Sequence, residues 1–120
     1  MAQDWTIVFY IGTNGESTVK EFLFGLDDKT RVRFGSSIER LRALNAQARE
    51  PLVKHIDGKL YELRMESNTN IYRIMYFFFT GRQIVLLHAF QKKSQKTPAK
   101  EIAIAIQRMN LFIESQKGGE

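Results

Sequence analysis

Arginines and lysines are the residues of this chain best suited to chemistry on a phosphate. Arg64 and Arg73 stand alone among apolar residues in two neighbouring segments. A lysine cluster follows a third apolar segment with no acidic residue inside it, and its members are Lys92, Lys93 and Lys96. Guanidinium and ammonium groups bind phosphate oxygens and stabilise the charge that builds on them during bond cleavage. These five cations are therefore the first candidate catalytic residues, on a surface that would grip RNA phosphates.

Cleavage of RNA without a metal needs three kinds of group. A base takes the 2′-hydroxyl proton, cations stabilise the crowded phosphate, and an acid protonates the departing 5′-oxygen. Lysine and arginine can serve every role if burial and mutual repulsion lower a lysine pKa. His88, in an otherwise apolar segment, is the sixth candidate catalytic residue; the competing interpretation is a core histidine bonded to a carbonyl.

Four residues near a predicted turn are expected to contact RNA, and they are Lys54, His55, Lys59 and Glu62. The two histidines lie far apart in sequence and lack acidic partners at ligand spacing, so we expect no metal site and no cofactor. The sequence contains no phosphate-binding Walker loop and no nucleophile motif of the GxSxG kind.

Strand alternation predicts which of these side chains meet. Glu62 and Arg64 share one face of a strand, because successive side chains point to opposite faces. If the turn at residues 67–70 pairs this strand with the next, Arg64 and Arg73 converge on that face. Two guanidiniums would repel there unless an anion or Glu62 sat between them. The competing interpretation is an ion-pair lattice on a solvated face.

Length and composition predict one ordered domain. The chain has 120 residues, a length that suffices for one hydrophobic core but not for two. Of these residues, 43% are hydrophobic and 26% are charged, as in an ordered globular protein. We predict a single domain over residues 1–117 and a frayed tail at 118–120. The absence of cysteine excludes disulfides, thiolate zinc sites and cysteine nucleophiles.

Charge and hydropathy indicate the environment and the partner. No apolar run approaches the roughly 20 residues that span a bilayer, so we expect a cytoplasmic protein without a membrane partner. The net charge of +5 favours a polyanionic partner. An evenly solvated basic surface would carry the same charge, so charge alone leaves nucleic-acid binding open.

Periodicity predicts the elements that position these residues. Apolar alternation over residues 5–11 indicates a first strand, and helical spacing indicates helices over 19–26 and from Asp27 to about residue 48, with Gly35 as a possible kink. Strands are predicted at 52–56, 60–66, 71–79 and 83–90, separated by short turn signals. Thr97 and Pro98 begin a closing helix. This order predicts an α+β fold with helices against one side of a mostly antiparallel sheet.

Five blocks of sequence carry a resemblance to a known group of proteins. They are Tyr61-Glu62-Leu63-Arg64, Tyr72-Arg73-Ile74, Ile84 to Phe90, Lys92-Lys93-Ser94-Gln95-Lys96-Thr97-Pro98, and Glu101-Ile102. Their order and spacing resemble the phage-derived, HigB-like branch of the RelE/ParE toxin superfamily. The resemblance implies a RelE-like sheet with two N-terminal helices and a C-terminal helix packed against it. It also implies the toxin of a type II toxin–antitoxin system.

The resemblance further implies a substrate and partners. RelE-like toxins cleave mRNA, generally in the ribosomal A site, and we expect a helix-turn-helix antitoxin that forms a hetero-oligomer with the toxin. Arg64, Arg73, and Lys92 or Lys93 match basic residues on successive strands and after the last one. Glu62 replaces a lysine of the RelE pattern but fits the WELR-like block of the HigB-like branch. No tyrosine follows Tyr76, so Lys96 or His88 would take the role of the C-terminal tyrosine of RelE.

Two other functions fit the same sequence. One is a ParE-type inhibitor of gyrase that cleaves nothing, and the other is a plain nucleic-acid-binding module. A nuclease requires Arg64, Arg73 and the loop at 92–96 to share one cleft, whereas a binding module tolerates dispersed charges.

Overall fold

Five strands and three helices make up the computed structural model, which describes residues 4–93 and 96–118. In chain order the elements are β1 (Thr6–Phe9), α1 (Thr18–Phe24), α2 (Asp28–Leu44), β2 (Val53–Asp57), β3 (Leu60–Ser67), β4 (Asn70–Phe79), β5 (Gln83–Lys92) and α3 (Ala99–Gly118). A 3₁₀ turn, Asn45–Gln47, follows α2. The α+β prediction is confirmed. The last two residues of the predicted frayed tail lie outside the described ranges.

The strands form one mixed sheet in the order β1-β5-β4-β3-β2. Three consecutive antiparallel pairs connect β2 to β5, as the short turns predicted. β1 lies at the far edge and pairs in parallel with β5. The sheet is thus mostly antiparallel, and β2 forms its other edge.

Helices cover both faces of this sheet, so the prediction that they lie on one side is wrong. The helices α1 and α2 bury Val19, Phe34 and Leu41 in a core on one face. The helix α3 packs against the opposite face through Ala105 and Phe112. The reason is that β4 and β5 are apolar at consecutive positions, so both faces of the central strands require cover.

Local signals set the helix boundaries. The side chain of Ser17 accepts a hydrogen bond from the Lys20 amide at the start of α1, and Asp27 does the same for Thr30 at the start of α2. α2 is one continuous helix from Asp28 to Leu44, so it does not break at Gly35. In the described ranges, no helix has the length and apolar character needed to cross a membrane.

Candidate active site

The two candidate arginines lie directly opposite each other on neighbouring strands. Arg64 of β3 is the register partner of Arg73 of β4, so both side chains occupy one sheet face. Lys54 pairs with Glu62 across β2 and β3, and Lys92 pairs with Ile71 across β5 and β4. The alternation of side chains places Lys54 and Lys92 on the same face as the arginines. We call these four cations the cation face; it lies on the α3 side of the sheet.

A buried carboxylate separates the two guanidiniums. Glu62 is 1% exposed, and its Oε2 lies 3.4 Å from Arg73 Nε and 3.6 Å from Arg64 Nε. Its Oε1 accepts a hydrogen bond from Thr97 Oγ1 at 3.0 Å. Thr97 lies two residues before the start of α3, so this carboxylate connects the segment that leads into α3 to the sheet. The side chain of Glu62, which is predicted from the sequence to contact RNA, is buried beneath the segment that leads into α3.

Arg73 is the fixed cation of the pair. Its side chain is only 6% exposed, and Nη1 donates a hydrogen bond to the Tyr72 carbonyl at 2.8 Å. Burial lowers the pKa of Arg73, and the carboxylate of Glu62 opposes that effect. Guanidinium groups nevertheless stay charged in proteins. The geometry therefore holds a permanent positive charge in one orientation.

Arg64 is the more accessible arginine. Its side chain is 29% exposed and also approaches Glu50, with Nη1 3.9 Å from Oε1. Both arginines line a cleft of about 280 Å³ together with Pro51, Met65 and Glu66. An anion entering this cleft would meet Arg64 first.

Lys92 combines burial with positive neighbours. It is 7% exposed, and burial is the main cause that lowers its pKa. The charges of Arg73, Arg64 and Lys54 lower the pKa of Lys92 further, and Glu62 opposes them. A lysine in this setting is neutral in a larger fraction of molecules near pH 7 and can accept a proton.

The other lysines of the cluster are exposed. Lys93 follows the end of β5, and Lys96 lies just before Thr97. Residues 94 and 95, which belong to the predicted loop, lie outside the described ranges.

His88 ties α3 to the sheet. Its Nε2 lies 2.7 Å from Glu101 Oε1, and its Nδ1 lies 3.3 Å from Arg108 Nη1. A neutral ring protonated at Nε2 satisfies both contacts, because it donates to the carboxylate and accepts from the guanidinium. Burial lowers the pKa of His88, the hydrogen bond to Glu101 opposes this, and Arg108 lowers the pKa further.

Both ring nitrogens of His88 are therefore occupied, and its ring stacks on Phe90 at 5.3 Å between centroids. This arrangement favours the core-histidine interpretation over a catalytic role, with a carboxylate in place of the expected carbonyl. The partners Glu101 and Arg108 come from α3, and no periodicity in the sequence could have indicated this contact.

The expected RNA-binding residues separate in space. His55 pairs with Tyr61 on the α2 side of the sheet, because it is one residue away from Lys54 along β2. His55 is exposed, and its Nε2 lies 2.7 Å from the Gly58 carbonyl oxygen. Lys59 is exposed in the turn between β2 and β3. His55 is thus exposed on the sheet face opposite to the cation face, whereas Lys54 lies on the cation face. Among the residues that the structure describes, no cluster of three or more histidine, aspartate or glutamate side chains is placed to hold a metal ion.

The chain is similar to known proteins over most of its length. The model of a family described as Phage derived protein Gp49-like matches residues 21–110, which extend from α1 into α3. Two proteins of Mycobacterium tuberculosis, from strains CDC 1551 / Oshkosh and ATCC 25618 / H37Rv, are each 30% identical to this chain over 104 residues. The matched region covers 87% of this chain and 81% of theirs, and both are named "Probable endoribonuclease HigB1".

Proposed function

We propose that this chain, which belongs to the phage-derived Gp49-like family within the HigB-like branch of the RelE/ParE toxin superfamily, is the endoribonuclease toxin of a toxin–antitoxin pair. Its substrate is mRNA on the ribosome, and its site of action is the cytoplasm. Its protein partner is a helix-turn-helix antitoxin that forms a hetero-oligomer with it. The name of the two mycobacterial relatives and the cation face support the nuclease activity.

The observation that carries the proposal is the burial of Lys92 on the same face as Arg64 and Arg73. A plain binding surface gains nothing from a lysine whose pKa is lowered, because phosphate binding is stronger when the lysine is charged. A general base requires such a lysine. The shared face of Arg64, Arg73 and Lys92 supports a nuclease over a module with dispersed charges.

In the proposed reaction, neutral Lys92 takes the proton from the 2′-hydroxyl of the nucleotide before the cleaved bond. The 2′-oxygen forms a bond to phosphorus, and the bond from phosphorus to the 5′-oxygen breaks. Arg73 and Arg64 bind the non-bridging oxygens while their charge increases. Lys93 or Lys96 delivers a proton to the departing 5′-oxygen. The products are a 2′,3′-cyclic phosphate and a 5′-hydroxyl, with no metal ion in any step.

Glu62 and His88 act on position rather than on RNA. The carboxylate of Glu62 offsets the repulsion between Arg64 and Arg73 and keeps both Nε atoms turned inward. His88 secures α3, whose first turn lies close to Thr97 and therefore to Glu62.

Expression of the chain in bacterial cells without an antitoxin tests this proposal. Wild type should stop translation and growth, and Arg73→Ala should relieve the arrest while the purified variant keeps its circular dichroism spectrum. Lys29→Ala, which removes an exposed lysine from the first turn of α2, is the matched control and should stay toxic. Full toxicity of a folded Arg73→Ala protein contradicts the assignment of the site. Arrest of DNA replication with intact mRNA would instead support the gyrase inhibitor.

A further inference from the structure

A pocket lined by aromatic side chains adjoins the cation face across the sheet edge. Its volume is about 380 Å³, and it lies between the C-terminal end of α2, the 3₁₀ turn and strands β2 to β4. The aromatic residues that line it are His55, Tyr61, Tyr76 and Phe78. We call this space the aromatic pocket. Its volume lies within the range of about 300–1,000 Å³ that small-molecule sites occupy.

The aromatic rings are held in place before any ligand arrives. The His55 and Tyr61 rings lie 5.0 Å apart and are tilted by 55°. Tyr61 stacks on Tyr76 at 5.7 Å and meets Phe78 edge-on at the same distance. His55 is exposed, and its contact with the Gly58 carbonyl requires a proton on Nε2. In the neutral ring, Nδ1 is then an acceptor that can receive a hydrogen bond from an amino or imino group.

The rest of the lining combines apolar residues with polar and charged ones. It includes Asn45, Arg49, Glu50 and Lys54. A heterocycle with polar edges could add hydrogen bonds to these charged groups, which a purely apolar ligand could not. Aromatic faces combined with cations are the means by which proteins hold unpaired bases of single-stranded RNA.

The aromatic pocket and the cation face are continuous. Glu50 lines the pocket, and its carboxylate lies 3.9 Å from the guanidinium of Arg64. Lys54 also lines the pocket, and its register partner is Glu62 at the centre of the cation face. β2 is an edge strand, so an extended chain can pass from one face to the other around it.

We propose that the aromatic pocket binds one unpaired nucleobase of the RNA whose neighbouring phosphate lies against Arg64. The proposal rests on the proposed function for its substrate class and adds a base-recognition subsite to it. Stacking against Tyr61 provides affinity, and His55 Nδ1 with the guanidinium of Arg49 contacts the edge of the base. The base in this pocket therefore contributes to the choice of cleavage position.

Nucleoside 5′-monophosphates test the pocket without any cleavage. The wild-type chain, labelled with ¹⁵N at the histidine rings, is titrated with AMP, GMP, CMP and UMP, and with ribose 5-phosphate as the probe that lacks a base. At least one nucleotide should shift the His55 ring signals, and ribose 5-phosphate should leave them in place. Tyr61→Leu keeps apolar volume but removes the ring, and it should lower the affinity for that nucleotide by about tenfold or more. Phe24→Ala removes an exposed aromatic ring elsewhere and should leave the affinity unchanged.

Two results overturn the pocket. One is an equal shift of His55 by ribose 5-phosphate, which assigns the site to phosphate alone. The other is the absence of any His55 shift at millimolar nucleotide concentration. If wild type cleaves RNA and gives either result, the base-binding proposal is wrong and the proposed nuclease function stands. If nucleotides bind at His55 but the protein cuts no RNA, the base-binding proposal stands and the proposed nuclease function is wrong.

Discussion

Glu62 Oε2 lies 3.4 Å from Arg73 Nε, and the carboxylate that makes this contact is almost completely buried. The same oxygen also approaches Arg64, so one negative charge serves two guanidiniums. Removal of one partner of a buried ion pair leaves an uncompensated charge. The charge of Glu62 is also felt at Lys92, whose pKa it raises.

The variant Glu62→Gln should shift the pH dependence of cleavage to lower pH. Loss of the carboxylate charge removes an effect that raises the pKa of Lys92, so a larger fraction of Lys92 is neutral at a given pH. The rate measured under single turnover from pH 5.5 to 9 should reach its plateau earlier than in wild type. Thr97→Val removes the hydrogen bond from Thr97 to Glu62 but leaves the charge of Glu62 in place. The midpoint of its pH–rate curve should therefore stay at the wild-type pH. An unchanged midpoint in a folded Glu62→Gln protein would mean that the charge of Glu62 does not affect the pKa of the general base.

Lys92→Arg should bind RNA and fail to cut it. The substitution keeps a positive charge on the cation face but removes a side chain that can lose its proton near neutral pH. We expect the single-turnover rate to fall by about 10²–10⁴, the usual contribution of a general base, while the dissociation constant for RNA changes little. Lys29→Ala serves as control for both measurements. A cleavage rate within a few-fold of wild type means that another group accepts the proton.

His88 should make the folded state less stable in mild acid. Because burial lowers its pKa in the fold, the unfolded chain binds more protons, and the free energy of unfolding falls as pH drops below about 6.5. This stability is fully present above the unfolded value and is lost as pH falls toward the folded value. His88→Gln should flatten the curve between pH 5 and 7 in urea denaturation. If the free energy of unfolding of His88→Gln falls with pH as steeply as that of wild type, groups other than His88 cause the acid sensitivity.

Strand periodicity was sufficient to predict the shared face of Arg64 and Arg73. A period of two places Glu62 with Arg64, and the short turn at 67–70 fixes the register with β4. Charge repulsion predicted that either a bound anion or Glu62 lies between the arginines, and the structure places Glu62 there. The position of Lys92 on this face depends on the pairing of β5 with β4, which the second short turn also set.

The side of the sheet that each helix covers could not be predicted. Met75 and Phe77 face α3, whereas Ile74 and Tyr76 face α1 and α2, so the apolar pattern of β4 fits helices on either face. The contacts of α3 with Glu62 and His88 join residues far apart in sequence through polar groups. Polar contacts of this kind leave no periodic signal, so the sequence did not predict that Glu62 and His88 connect the sheet to α3 and the segment before it.

Phe112 should anchor α3 to the second face of the sheet. Its ring meets Phe77 at 6.0 Å and Phe79 at 5.2 Å, both edge-on. Phe112→Ala should lower the free energy of unfolding by about 3–5 kcal/mol, because it empties a packed site. The neighbouring Leu111 is 48% exposed, and Leu111→Ala should cost no more than about 0.5 kcal/mol. Equal effects of the two substitutions in chemical denaturation would mean that α3 does not close this face.

In the proposed reaction the 2′-hydroxyl of the RNA is the nucleophile, and Lys92 and Arg73 promote its attack. The direct measurement is primer extension on programmed ribosomes at fixed free magnesium, with a zinc- and manganese-selective chelator present. The mRNA is compared with one that carries a single 2′-deoxy nucleotide at the cleaved position. The wild-type chain should cut the first mRNA, leave a 2′,3′-cyclic phosphate or its 3′-phosphate product, and leave the deoxy mRNA intact. Cleavage that survives the 2′-deoxy substitution, or that requires an added transition metal, contradicts the roles of Lys92 and Arg73.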